Sequence, residues 1–299
     1  LTTKWHLFGD MQYRNVGYQA NGAETGLVND TFNFFNPKVG VTYVMNEKQN
    51  FYFSYSKANR EPNRNDYENG NPKPEKLDDY ELGWRFSTEK TKLNVNGYFM
   101  KYKDQLVLTG ELNDVGAPVR ANSGDSYRLG LEVDATFKLT NKWFLQPNVT
   151  LSQNKNQDFV FQRDGVLENL GTTNIAFSPD LIAANRLVFM PIQNFQVSLL
   201  SKFVGEQYMG NIDAESSKLD SYFVNDLNVS YEIVTKKVFK SIRIDVLVNN
   251  IFNLEYESNG YFYTYDDDFS NPGTVTTIEG TGFYPQAGIN LLAGLTLLF

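Results

Sequence analysis

The last eighteen residues, 282–299, constrain the fold most. Ile289, Leu291, Ala293, Leu295, Leu297 and Phe299 fall on one face of a period-two pattern, and Asn290, Gly294 and Thr296 fall on the other. A terminal strand this apolar would be an aggregation hazard in water. In an outer membrane it is a closing strand, with one face to lipid, one to a lumen and an aromatic end at the interface.

The same alternation recurs along the chain. Trp5, Leu7, Gly9, Met11 and Tyr13 alternate with His6, Asp10, Gln12 and Arg14, and Tyr127 to Leu139 alternate without a break. Short polar turns fall near residues 48, 89, 141, 192 and 237. Between them lie longer polar, aromatic-rich stretches at 21–30, 59–78, 109–124, 154–178, 206–221 and 253–281, read as loops. Short connections at one end and long ones at the other predict an up-and-down barrel, with both termini at the short-turn end and about twelve strands.

A soluble β-sandwich also has one apolar face per strand. Against it stand strands of about 10 residues or more, as a tilted membrane crossing needs, and the asymmetry of the connections. Aromatic residues also stand at the row ends (Trp5, Tyr13, Tyr43, Tyr80, Tyr127, Trp143, Tyr231, Phe299), as two interfacial girdles require. Inward charges such as Arg85, Arg128, Glu132, Asp134, Lys138, Arg186, Lys202, Arg243 and Asp245 would be costly in a dry core but suit a wide lumen.

Composition narrows the function. Without Cys there is no disulfide framework, thiolate nucleophile or Cys-rich zinc site. Thirty-five acids against 27 bases leave no basic stripe for nucleic acid. No apolar run approaches the roughly 20 residues of a helical span. The chain opens on Leu1 with no visible signal peptide, so a mature form or a fragment is expected.

Several stretches resemble TonB-dependent outer-membrane receptors, particularly those common in Bacteroidetes. They are Ser-Tyr-Ser-Lys-Ala-Asn-Arg-Glu-Pro-Asn-Arg-Asn-Asp-Tyr at 54–67, Pro-Glu-Lys-Leu-Asp-Asp-Tyr-Glu-Leu-Gly at 74–83 and Tyr-Lys-Asp-Gln-Leu-Val at 102–107. With them go Val-Asn-Asn-Ile-Phe-Asn at 248–253, Glu255-Tyr256 and the terminal Phe299. The resemblance implies a plugged barrel of about 22 strands. Residues 1–299 would then be its carboxy-terminal part, with the plug and earlier strands outside this sequence. It also implies the Gram-negative outer membrane as location, lipid and the TonB complex (through the plug) as partners, and a surface lipoprotein as a further partner. It implies no cofactor and no enzymatic step.

For ligand contact the sequence offers Arg60, Arg64 and Tyr67, then Tyr208, then Tyr256, Tyr261 and Tyr263, all in the long connections. Aromatic rings with arginines suit a bulky polar solute, a small molecule or metal chelate such as a ferric siderophore, a corrinoid or a glycan. No catalytic or metal site is expected. His6, the single imidazole, lies close to a short turn and reads as a lumen residue. Asp266-Asp267-Asp268 reads as a solvated acidic loop, its spacing unlike a calcium loop. The expected function is solute import by capture in outer loops and lumen. The alternatives are a self-contained barrel (passive pore, autotransporter translocator or outer-membrane hydrolase) and a glycan-binding sandwich.

Overall fold

Side-chain oxygens close the short turns. Asn46 Oδ1 accepts from the Lys48 amide at 2.9 Å, Thr88 Oγ1 from the Thr91 amide at 3.0 Å, and Thr140 Oγ1 from the Lys142 and Trp143 amides at 3.1 Å. Each mimics a backbone turn and reverses the chain within a few residues. In the computed structural model, residues 3–23, 25–68, 70–112, 118–122, 124–235 and 238–299 are described. The expected turn residues Lys236 and Lys237 lie outside the described residues.

In chain order the elements are β1 (Trp5–Gly22), β2 (Gly26–Asn46), β3 (Gln49–Arg60), α1 (Arg64–Tyr67), β4 (Glu75–Ser87), β5 (Thr91–Lys103), β6 (Leu106–Leu112) and β7 (Pro118–Asn122). Then follow β8 (Ser126–Lys138), β9 (Trp143–Asn156), β10 (Val160–Arg163), β11 (Val166–Asn169), β12 (Thr173–Asn174), β13 (Leu181–Phe189) and β14 (Phe195–Val204). The last are β15 (Gln207–Tyr208), β16 (Lys218–Leu219), β17 (Tyr222–Val234), β18 (Ser241–Asn249), β19 (Glu257–Asp267), β20 (Thr276–Pro285) and β21 (Asn290–Leu298). No described helix is long and apolar enough to cross a membrane.

Twelve strands form one antiparallel path, β1-β2-β3-β4-β5-β8-β9-β13-β14-β17-β18-β21, and β12 pairs with the end of β9. This is the all-β, roughly twelve-stranded antiparallel wall that the alternation predicts. Among the described residues β1 pairs only with β2 and β21 only with β18, so both edges of the sheet are open.

The register keeps each face pure across many strands. Leu7, Val41, Phe53, Leu82, Gly97, Leu131, Leu151 and Leu181 are successive cross-strand partners on one face. Leu145, Leu187, Leu199, Leu227, Val248 and Leu291 continue that face to the last strand. Leu82 and Leu295 are each 64% exposed, so nothing among the described residues covers them. On the other face Arg85, Asn94, Asp134, Asn148, Ala184 and Lys202 are successive partners. There side chains bridge strands that are not neighbours: Arg14 of β1 meets Glu61, just past β3, at 2.6 Å, and the Tyr52 hydroxyl of β3 donates to Asn96 Oδ1 of β5 at 2.9 Å. His6 stands on this polar face opposite Thr42, near the short-turn end.

The long connections differ from their reading as loops. Residues 21–22 and 26–30 belong to the β1–β2 hairpin, paired out to Gly22 and Gly26. Its upper rungs are held by polar pairs, Gln19 to Asn29 at 3.0 Å and Asn15 to Asn33 at 2.7 Å, so no apolar alternation marks them as strand. The connections at 109–124, 154–178, 206–221 and 253–281 likewise carry β6–β7, β10–β12, β15–β16 and β19–β20. Strands β20-β19-β6-β7 form a second sheet. The described hydrophobic cluster also lies here, Phe159, Phe161 and Ile212 with Val107, Leu170, Ala214 and Phe262 around them.

Candidate ligand-binding rim

The β19–β20 hairpin separates its two faces by the same period of two. Phe262, Thr264, Asp266, Thr277 and Glu279 point into the neighbouring connections. Phe262 joins the Phe159 cluster. Glu279 meets Arg163 at 3.6 Å and accepts from the Ser216 hydroxyl at 2.7 Å. Asp266 accepts from Gln162 Nε2 and the Gly165 amide at 3.1 Å and from the Thr277 hydroxyl at 2.7 Å. Burial alone would raise its carboxyl. The hydrogen bonds from Thr277, Gln162 and Gly165 outweigh it and hold the pKa below the ordinary value. Asp267 accepts from the Phe269 and Ser270 amides at 3.0 Å, and Ser270 contributes most to holding its carboxyl low. These acids are tied to the protein, and no cluster of metal-ligating side chains occurs among the described residues.

The opposite face carries Tyr261, Tyr263 and Tyr265, their rings 6.2 and 6.5 Å apart and within 17° of parallel. Their partner strand is cleared by Gly282 opposite Tyr261 and Gly280 opposite Tyr263. A Cβ at either glycine would collide with the tyrosine ring, so each ring lies down across β20. Tyr284 adds a fourth ring, 6.0 Å from Tyr261. Tyr261 and Tyr265 stay nearly half exposed, at 48% and 44%. The result is an open aromatic platform suited to stacking.

The other candidate residues stand elsewhere on the rim. Arg60 pairs with Glu75 at 3.2 Å across β3 and β4. Arg64 of α1 meets Glu68 at 3.4 Å and is largely exposed. That one-turn helix starts on a reciprocal cap between Asn63 and Asp66. Tyr67 is buried, its ring 5.3 Å from Tyr18 and its hydroxyl donating to Asp30 at 2.6 Å. Burial and that carboxylate push its phenol well above the ordinary range. The Tyr256 ring lies against Tyr222, centroids 4.4 Å apart and planes tilted by 31°, and burial with Asp226 nearby raises its phenol. Tyr208 lines a pocket of about 530 Å³ with Lys155, Lys218, Ser178, Leu181 and Phe203. Burial first, then Glu215 and Asp213, raise its phenol. The structure thus joins Tyr261 to Tyr263 and leaves Arg60, Arg64, Tyr208 and Tyr256 in separate neighbourhoods. Tyr284 and the two glycines were not singled out in the sequence; the alternation of Gly280 and Gly282 against Tyr261 and Tyr263 is the signal that could have found them.

No curated protein matches the sequence. Solved structures do. The ferric citrate transporter FecA in its unliganded form is 17% identical, with a TM-score of 0.73 over 99% of this chain and 42% of that one. The ferric-catecholate import receptor Fiu from E. coli K12 is 16% identical, at 0.65 over 99% and 43%. The siderophore receptor PiuA from Acinetobacter baumannii is 15% identical, at 0.66 over 99% and 41%. At these identities the likeness is one of fold, and the chain spans well under half the length of each. The family model described as "TonB dependent receptor-like, beta-barrel" matches residues 1–254. The apolar outer face and polar inner face are therefore those of a receptor wall, and the chain belongs to the TonB-dependent receptor family as part of its β-barrel.

Proposed function

We propose that residues 1–299 form the carboxy-terminal part of the barrel of an outer-membrane receptor that imports a scarce, bulky polar solute in a Gram-negative bacterium. About ten further strands and a plug would complete it. The two open sheet edges and the partial coverage of the solved receptors support that division. The observation that carries the function is the platform of Tyr261, half-buried Tyr263 and Tyr265 at the long-connection end of a polar-lined wall. The solute class is a metal chelate, a ferric siderophore or corrinoid, in keeping with the siderophore and ferric citrate receptors of like fold. Tyr261, Tyr263 and Tyr256 supply ring faces, Arg60 and Arg64 supply cations, Tyr67 anchors the one-turn helix that carries Arg64 through Tyr18 and Asp30, and Tyr208 serves the neighbouring rim. Release inward follows plug rearrangement drawn by TonB, and no covalent step is needed.

The test is uptake of radiolabelled ferric siderophores and cobalamin by cells carrying the full-length receptor, with and without TonB. Accumulation that requires both receptor and TonB is expected. Passage that persists without TonB would instead mark a passive pore, and uptake of neither class would overturn the solute assignment.

A further inference from the structure

Above the upper aromatic row, the lipid-facing side of the wall changes character. Tyr55, Tyr80 and Phe99 are successive cross-strand partners in an aromatic row, with ring centroids 5.0 and 6.4 Å apart, and Tyr127 of the row above lies 6.3 Å from Phe99. Two residues further from the short turns, and on the same face, Lys57, Asp78, Lys101, Tyr127 and Lys155 are successive cross-strand partners. One row higher stand Asn59, Lys76 and Lys103. Five lysines thus face outward around a single acid, Asp78, in a chain whose net charge is −8. Lys57 meets Asp78 at 3.4 Å. Lys76, Lys101 and Lys103 are exposed and, among the described residues, have neither ion-pair nor hydrogen-bond partner.

The row ends in the pocket that Tyr208 lines. Its floor is Leu181 and Phe203 of the apolar face. Its walls carry Lys155, whose Nζ donates to Asn174 at 2.6 Å, Lys218, paired at 3.0 Å with Glu206 of the same wall, a second carboxylate, Asp180, and the hydroxyls of Ser178, Ser221 and Tyr208. With the unpartnered lysines of the row beside it, this mixed pocket of two lysines, two carboxylates and three hydroxyls over an apolar floor matches a lipid whose headgroup carries phosphate and whose chains run down the wall.

We propose that this outward belt, from Lys76, Lys101 and Lys103 to the Lys155–Lys218 pocket, binds a phosphate-bearing lipid headgroup of the outer leaflet. The assignment rests on the reading of the apolar face as lipid-facing. A protein docked on the rim would favour apolar and aromatic anchors with few lysines, whereas here the lysines sit at headgroup height directly above an aromatic girdle.

The test is native mass spectrometry of the full-length receptor in mild detergent, offered bisphosphorylated lipid A or the same lipid with its phosphates removed. Preferential retention of the phosphorylated form is expected, weakened by salt. The variants K76Q/K101Q/K103Q and K155Q/K218Q should each lower it, by about fivefold per lysine. Since Lys76, Lys101 and Lys103 are unpartnered, the first variant should unfold at the wild-type temperature. Equal retention of both lipids, or retention unchanged in both variants, would overturn the belt, as would loss of a co-purifying protein in place of lipid. Flotation of the receptor with vesicles is read separately. A receptor that does not enter bilayers defeats the lipid-facing reading itself, while one that enters without headgroup preference defeats only the belt.

Discussion

Asp164 and Thr277 exchange two hydrogen bonds: the Thr277 amide donates to the Asp164 carboxylate at 2.7 Å, and the Asp164 amide donates to the Thr277 hydroxyl at 2.7 Å. The pair joins two hairpins separated by 113 residues of chain. The Thr277 hydroxyl also donates to Asp266, so one oxygen links three residues. Thr277→Val keeps the shape of the side chain and removes both hydroxyl bonds, at about 1–2 kcal/mol of local stability in this partly exposed site. Hydrogen exchange should show the β10–β11 amides losing protection while the wall strands keep theirs. Equal loss along the wall would mean the hairpins are not a separate unit.

The same clamp is acid-sensitive. Asp266 has its pKa depressed in the folded protein, so its contribution is present above the ordinary aspartate value of about 3.9 and is lost as pH falls through the lower folded value. Protection of the β10–β11 hairpin should stay level from neutral pH to about pH 5 and fall below about pH 4. Asp266→Asn should flatten that profile. A pH profile unchanged in Asp266→Asn would remove that carboxylate from the clamp.

The wall was legible because a lipid-facing strand must alternate, and Tyr127 to Leu139 does so without interruption. The rim was not, because its strands are pinned by other chemistry. Arg163 and Val166 close a two-residue turn at Asp164-Gly165, with φ of 53° and 74°. Asp-Gly between alternating apolar residues is a hairpin signal of its own, yet it lay within a stretch read as loop by its polarity. Tyr67 shows the other limit. Its partner Asp30 stands 37 residues away on a strand tip that polar pairs hold, so no local pattern announces that the ring is buried.

That burial divides the tyrosine candidates. Tyr67→Ala removes a buried ring stacked on Tyr18 and should lower stability by about 3 kcal/mol, with Tyr67→Phe costing about 1 through the lost bond to Asp30. Tyr261→Ala and Tyr263→Ala act on an open face, Tyr261 exposed and Tyr263 half-buried, and should change stability by about 1 kcal/mol or less, while weakening solute binding about tenfold through lost stacking. Thermal unfolding of the full-length receptor, paired with a binding isotherm, separates the two effects. A Tyr263→Ala receptor with unaltered affinity would remove the platform from the site.

Glycine on the inner wall gives the sharpest packing test. Gly83 is the cross-strand partner of Tyr52, whose ring covers it so closely that an added Cβ would overlap ring atoms. The ring has little freedom to yield, because its hydroxyl is bonded to Asn96 at 2.9 Å and the Arg85 guanidinium lies 4.4 Å from its centroid. Gly83→Ala must therefore displace Tyr52 and both of its contacts, at about 1–3 kcal/mol. Gly9→Ala, with nothing within 4 Å of the new methyl, is the matched control. Adding Tyr52→Ala to Gly83→Ala removes the obstruction, so the double variant should be no less stable than Tyr52→Ala alone. Unfolding temperatures of the four variants and the wild type in one detergent decide it, because a penalty at Gly83 that survives loss of the ring would have to come from the backbone.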